Sequence, residues 1–460
     1  MSGSVMGESA GQQAAPASAI TGSERALSDA YAQLRPSAYG VFLLALCIVV
    51  GMVEGYDVQA MSLAAPLLAR EWGLTPQAVG SLLSASLIGQ VFGGFLLAPL
   101  GDKLGRRHAM LLGLAIAGLA TLAGAYVPGY GSMIAARFVA GLGLGLALAN
   151  TIALAMELVP GSWRTMAVVL VCSGYPLGAA CGAAAVGQLL PTMGVAAVFY
   201  VGAVSTLIAW AVCIVALPES PVMMVRQSSD QTRLRALFGR LGVAIDPAVK
   251  LVGDASGAAK SRLAELFTPE RRNTTLLLWL LNFANLSLVY FFVMWTPSLF
   301  VSSGLDPRAA IRATSLFSFS GILGGLTFAA LLPRIGPVAT LGFCYAATIV
   351  SVGIFAGMAA PATGFYVALA ACGFLIIGSQ FCLSAVVNLF YPGPIRATGS
   401  GMALSAGRVG GVFAPIVGGF ILSHVASPQQ AFYIALVPAA ISLLTLLALR
   451  RLRLVGLRSE

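Results

Sequence analysis

The sequence predicts an all-α membrane protein of twelve transmembrane helices in two six-helix bundles, on three observations. Only 9% of the 460 residues are charged and 58% are hydrophobic, with mean hydropathy +0.91. A soluble domain carries about 25% charged residues, so the surface of this chain is not built for water alone. Apolar runs of about 20 residues or more recur from Tyr39 to Leu449, the length at which a helix crosses a bilayer. One long polar stretch, Pro218 to Arg272, separates two blocks of six such runs, the pattern of an internal repeat. An outer-membrane barrel would instead alternate apolar and polar residues over about ten residues. The 53 glycines show no three-residue period, which excludes a collagen-like chain.

Residues 1–37 are rich in Ala, Ser, Gly and Gln and contain no apolar segment, so they are expected to form a disordered cytoplasmic tail and not a cleaved signal. Breaking the runs at charges, Pro-Gly pairs and polar clusters predicts spans near 39–67, 77–100, 108–127, 131–155, 165–190 and 195–217. The second block gives 274–301, 309–332, 336–359, 363–388, 397–424 and 429–449. The expected units are an N-terminal bundle over 38–217, a cytoplasmic central loop over 218–272, a C-terminal bundle over 273–450 and a cytoplasmic tail over 451–460.

With twelve spans both termini share one side. Arg70, Arg308 and Arg312 are the only basic residues in the loops of the other side, and Arg137 and Arg408 lie within spans; the remaining 21 of the 26 Lys and Arg stand with the termini. The positive-inside rule places that side in the cytoplasm of a plasma (inner) membrane. A basic rim facing anionic lipid accounts for the net charge of +10, so no nucleic-acid partner is expected. The seven cysteines all fall inside spans without CxxC spacing and are expected to be buried thiols. Neither His108 nor His424 sits in a metal-binding cluster, and no Walker loop is present. No cofactor, no metal and no enzymatic activity are expected.

Ionisable residues inside a span are costly and mark cavities or partners. Here they are Glu54, Asp57, Arg137, Arg408 and, nearer a membrane surface, Glu157. Glu54 and Asp57 stand three residues apart, on one helical face; two acids so close in a low-dielectric site repel, which makes the pair a candidate proton carrier. The alternative reading makes one of the carboxylates an ion-pair partner at a helix end or a gate. Arg408 has no acid in its own span. A ligand carboxylate would satisfy its fork, as would Glu54, Asp57 or backbone carbonyls across the bundle. Tyr56, Tyr175, Phe283, Tyr290, Trp295 and Phe381 are candidate aromatic walls for a ring, and Gln59, Asn150, Asn282, Asn285, Gln380 and Asn388 are intramembrane amides able to bond a hydroxyl or carboxylate. Packing and helix-to-helix bonding are the commoner uses of both sets.

Gly101-Asp102-Lys103-Leu104-Gly105-Arg106-Arg107 between the second and third spans resembles the signature loop of the major facilitator superfamily, although the usual first glycine is Ala98. Arg137-Phe138-Val139-Ala140-Gly141 resembles that superfamily's fourth-span arginine motif, Gly174-Tyr175-Pro176-Leu177-Gly178 its bendable fifth span, and Pro218-Glu219-Ser220-Pro221 the motif closing its sixth. Glu54-Gly55-Tyr56-Asp57 with Gln59 resembles the first-span motif of the aromatic acid:proton symporter family, and within it looks most like the hydroxyphenylpropionate carriers. Asn150 with Glu157 and Pro160, Trp295-Thr296-Pro297, and Tyr391-Pro392 with Ile395-Arg396-Ala397-Thr398-Gly399 support the likeness. One departure is Leu332-Pro333-Arg334-Ile335-Gly336-Pro337, where relatives often keep an acid and arginines.

The resemblance implies the major facilitator fold and import of an aromatic carboxylate in symport with protons by a monomer. It implies proton coupling at Asp57 and Glu54, substrate contacts from Arg408, Gln59, Tyr56, Asn150, Trp295 and Gln380, and gating by Asp102, Arg106, Arg107, Arg137, Glu157 and Arg396. The alternatives are a proton-coupled carrier of another organic acid and a drug exporter of the same fold. An exporter of cations needs acids without a matching Arg408, so the net sign of the cavity separates the readings.

Overall fold

The computed structural model describes residues 24–227, 231–246, 249–252, 262–358, 363–391, 393–424 and 429–456. Among these residues twelve helices are long and apolar enough to cross a membrane. Spans 1 to 6 are Ala38–Trp72, Pro76–Leu104, Arg106–Gly124, Tyr130–Glu157, Gly161–Met193 and Ala196–Ala216. Spans 7 to 12 are Arg272–Ser302, Pro307–Ile335, Pro337–Ala356, Gly364–Phe390, Thr398–Leu422 and Gln430–Leu452. The predicted spans overlap all twelve.

Small residues set how the helices meet. Span 1 carries Gly51 and Gly55 one turn apart, and span 5 carries Gly174 and Gly178. A Cβ at Gly55 would fall 2.0 Å from the Tyr175 carbonyl oxygen, and one at Gly178 would fall 1.8 Å from that of Met52. The two backbones therefore touch, the arrangement that glycines four apart permit. Span 2 is the least regular: Gly93–Leu97 is a π-turn and Ala98–Leu100 a 3-10 turn. Its end reverses at Gly105, whose φ of 102° is the left-handed region that favours glycine.

The two bundles meet along a seam in the half of the molecule away from Glu24 and Gly456, the first and last described residues. There Gly80 faces the Pro415 carbonyl, Gly419 faces that of Pro76, and Gly187 lies against Ile311. Ser84 Oγ donates to the Val412 carbonyl at 2.9 Å, and Gln77 bonds Ser423. The face at which the described residues begin and end, at Glu24 and Gly456, is here called the terminal face.

The expected tail does not hold for residues 24–37. Glu24–Ala26 (β1) pairs in parallel with Lys250–Val252 (β2) of the central segment, and a helix follows at Leu27–Ala32. Leu27, Tyr31 and Leu34 are buried in one apolar cluster with Leu234, Phe238 and Leu251. Residues 1–23 lie outside the described residues. The apolar residues in this stretch are too few and too widely spaced to stand out against its polar composition, so the sequence reading missed them. The cysteine expectation also needs correction: five are buried, but Cys172 and Cys181 are exposed.

Candidate functional site

Span 1 passes through the middle of the first bundle with Glu54, Gly55, Tyr56 and Asp57 all buried. Four helices converge on the Asp57 carboxylate. Oδ1 accepts from Thr121 Oγ1 of span 3 at 2.7 Å and from Arg137 Nη1 of span 4 at 3.2 Å; Oδ2 accepts from Ser86 of span 2 at 3.4 Å. Arg137 is fully buried and its guanidinium lies 5.4 Å from the centre of the Phe199 ring. It sits inside the first bundle and away from the terminal face, so the structure places it with Asp57 and not with the other gating candidates.

Glu54 has a different environment. It is buried, yet its Oε2 has no hydrogen-bond partner. Arg408 of span 11 lies within electrostatic reach of Glu54 and of Cys172, and among the described residues no carboxylate pairs with it. Its Nη1 approaches span 2 at Gly94, where a Cβ would lie 3.5 Å away. Tyr175 of span 5 and Tyr290 of span 7 join hydroxyls at 3.1 Å across the bundles, and both also lie within electrostatic reach of Glu54. A buried acid without a partner, an arginine without an acid and two phenols thus share one region. Such a set can hold a carboxylate on the guanidinium while the acid takes up a proton.

The other candidates separate from this region. The Tyr56 hydroxyl donates to the Val198 carbonyl at 2.5 Å, and its ring packs on Gly182 and Gly202, so it joins helices of the first bundle. Asn150 bonds the Leu146 and Ala98 carbonyls and presses on Gly101 at the terminal face. Trp295 Nε1 donates to the Pro415 carbonyl at 3.2 Å and borders a cavity of about 430 Å³ on the opposite face. Gln380 accepts from Asn285 Nδ2 at 2.5 Å, and Asn285 Oδ1 accepts from Tyr345 at 2.9 Å and Ser379 at 3.0 Å, a network inside the second bundle. Gln59 bonds across the seam to the Val293 carbonyl at 3.2 Å. Phe283 borders an apolar groove among spans 7, 11 and 12, Phe381 packs on Gly325, Asn282 bonds its own helix at Leu278, and Asn388 bonds Ser400.

At the terminal face, Arg106 Nε meets Glu157 Oε1 at 2.9 Å, and Ser220 donates to the other oxygen of that carboxylate. Glu219 accepts from the Arg107 backbone N–H at 3.0 Å and meets His108 at 2.9 Å. The signature loop therefore clamps spans 3, 4 and 6 of one bundle. Asp102 is 66% exposed and its recorded partner is Arg106, at 3.9 Å. Arg396 belongs to the helix Gly393–Leu422, but its side chain lies outside the described residues.

Thr121 and Ser86 were not singled out by sequence. The available signal was a hydroxyl in an otherwise apolar run, which is too common to choose between positions.

A model of the family described as Major Facilitator Superfamily matches residues 47–387. The chain is 30% identical over 427 residues to the 4-hydroxybenzoate transporter PcaK of Pseudomonas aeruginosa, covering 91% of this chain and 94% of that one. It is 32% identical over 380 residues to the 3-(3-hydroxy-phenyl)propionate transporter of Escherichia coli, covering 83% and 86%. Among solved structures, the partially occluded inward open conformation of the xylose transporter XylE from E. coli superposes with a TM-score of 0.71 at 16% identity, covering 90% of this chain and 98% of that one.

Proposed function

The chain belongs to the Major Facilitator Superfamily, and from that premise we propose that it is a secondary active transporter importing an aromatic carboxylate with protons by alternating access. It is a multi-pass membrane transporter and not an enzyme. The observation that carries the substrate reading is the nearness of two unfilled groups: Glu54 with a buried, partnerless oxygen and Arg408, with which no carboxylate pairs among the described residues. The names of relatives as carriers of 4-hydroxybenzoate and 3-(3-hydroxy-phenyl)propionate support an aromatic acid as the cargo.

In this reading Arg408 takes the carboxylate and Glu54 takes the proton. Asp57, already neutralised by Arg137, ties the proton site to the first bundle. Tyr175 and Tyr290 stand at the ring's edge. Entry of a monoanion with one proton is electroneutral, and each further proton would make uptake respond to membrane potential. The bias of Lys and Arg toward the terminal face supports a plasma-membrane orientation with both termini cytoplasmic. The closed seam then lies outside. Uptake of labelled 4-hydroxybenzoate into proteoliposomes with an imposed pH gradient tests the reading. Accumulation that a protonophore abolishes is expected; accumulation unchanged by the protonophore overturns proton coupling, and no uptake of any aromatic acid tried overturns the substrate class.

A further inference from the structure

Pro297 has no backbone N–H, so span 7 cannot supply a donor to the carbonyl four residues earlier, that of Val293. That carbonyl is met from the other bundle, by the Gln59 side-chain amide at 3.2 Å. A carbonyl only accepts, which fixes the amide nitrogen as the end that faces it. The second amide hydrogen goes to Ser62 Oγ at 2.8 Å, and Ser62 in turn donates to the Gln59 backbone carbonyl at 2.7 Å. Both donors of Gln59 are therefore consumed, and the side chain is buried in the seam with Oε1 alone unpartnered.

We infer that Gln59, Ser62 and Pro297 form a latch between the bundles that holds the seam closed on the face away from the termini, so that Gln59 is a gating residue and not a ligand to the cargo. Opening that face parts span 1 from span 7. It leaves an amide donor and a carbonyl that the helix itself cannot satisfy, and both must then be met by water. The rest of the seam is backbone packed on Gly80 and Gly419 with the Ser84–Val412 and Gln77–Ser423 bonds, and none of these meets a carbonyl that a proline has left without its helical donor. Gln59 supplies a directed bond, and Ser62 holds its amide in position to make it. The inference rests on the alternating-access reading above, but its signature does not depend on which acid is carried.

The latch can be released from either side by unrelated chemistry. Gln59→Met removes the donor. Pro297→Ala leaves Gln59 intact but gives the Val293 carbonyl a helical N–H as well, so opening the face no longer strands that carbonyl. A native reporter exists: Cys172 is exposed in the terminal half of span 5, within electrostatic reach of Glu54 and Arg408. Val79 is buried in the seam and borders the cavity on the other face, so Val79→Cys reports that side.

The experiment measures alkylation by a membrane-impermeant maleimide, using the full chain in oriented vesicles with either reporter as its only cysteine. Gln59→Met, Ser62→Ala and Pro297→Ala should each slow Cys172 and speed the reporter at position 79, by about two- to tenfold, the factor that a net hydrogen bond carries. The double variant Gln59→Met/Pro297→Ala should show no more than the larger single effect. Unchanged rates, rates that move in the same direction, or effects that multiply in the double variant overturn the latch. If 4-hydroxybenzoate moves the two reporters of the parent protein in opposite directions while the latch variants do not, the latch falls alone; if nothing does so, alternating access falls with it.

Discussion

Asp57 and Arg137 pair at 3.2 Å with side chains that are 2% and 0% exposed. Removing one member of such a pair strands the other, at a cost of about 3 to 5 kcal/mol. Asp57→Asn is therefore expected to lower thermal stability sharply and to abolish proton-driven accumulation. Asp57→Asn/Arg137→Gln should recover much of the stability without recovering accumulation. Thermal unfolding and pH-driven uptake, measured on the same preparations, check both halves. A single variant that melts and accumulates like the parent rules out a structural and a coupling role together.

Glu54 has no such partner, so Glu54→Gln should leave stability near that of the parent. Counterflow exchange of substrate should persist while concentrative uptake is lost. Loss of exchange and accumulation in equal measure would mean that Glu54 binds cargo and does not carry the proton.

Arg408 is expected to read the carboxylate. Arg408→Ala should weaken binding of an aromatic acid by about 2 to 5 kcal/mol, part of it the penalty for a stranded anion, and should weaken its neutral amide far less. Arg408→Lys should rescue little, because a point charge on a flexible stem does not reproduce a planar fork. Equilibrium binding of acid and amide to the variants decides it. A variant that keeps the parent's preference for the acid moves the carboxylate site elsewhere.

The two acids of the terminal-face loop region should differ. Asp102 is exposed and 3.9 Å from Arg106, and such surface pairs contribute about 0 to 1 kcal/mol. Glu157 holds Arg106 and Ser220 together. Glu157→Gln should lower the maximal transport rate much more than Asp102→Asn, with substrate affinity little changed in either. The reverse order would restore Asp102 as the gate.

Gly178 lies against span 1 so closely that an added Cβ would meet the Met52 carbonyl oxygen at 1.8 Å. Backbone cannot turn aside as a flexible side chain can. Gly178→Ala should destabilise the first bundle by about 1 to 3 kcal/mol, read as a lowered melting temperature in detergent. Gly353→Ala, in span 9 with open space around the added atom, should be nearly silent.

Spans and their division into two blocks were legible because burial in lipid demands about 20 apolar residues in a row, and no tertiary detail alters that demand. Glu54, Asp57, Arg137 and Arg408 were legible as well, since a charge inside such a run has a cost that needs an explanation. Their pairing was not. Nothing in spacing along the chain says that Arg137 reaches Asp57, 80 residues away, while Arg408 does not. The amides misled for the same reason. Gln59, Asn150 and Gln380 each bond protein groups, and a sequence shows a donor without showing what it faces. Pro297 was visible within Trp295-Thr296-Pro297, but the carbonyl it frees becomes informative only when span 1 is seen beside it.

Pairing of β1 with β2 has a mechanical consequence. Strand Lys250–Val252 lies well inside the segment that joins the bundles, and through β1 and the buried Leu27, Tyr31 and Leu34 it is fastened to the first bundle. Residues 262–267 are held to the second bundle in turn, where Leu266 is buried with Leu278 and Leu281 and its carbonyl accepts from Thr275 Oγ1 at 2.9 Å. Each bundle therefore carries its own share of the linker, and residues 24–34 help to hold the first share in place. Deleting residues 24–34 should release Lys250–Val252 from the first bundle and lengthen the stretch of chain that joins the two.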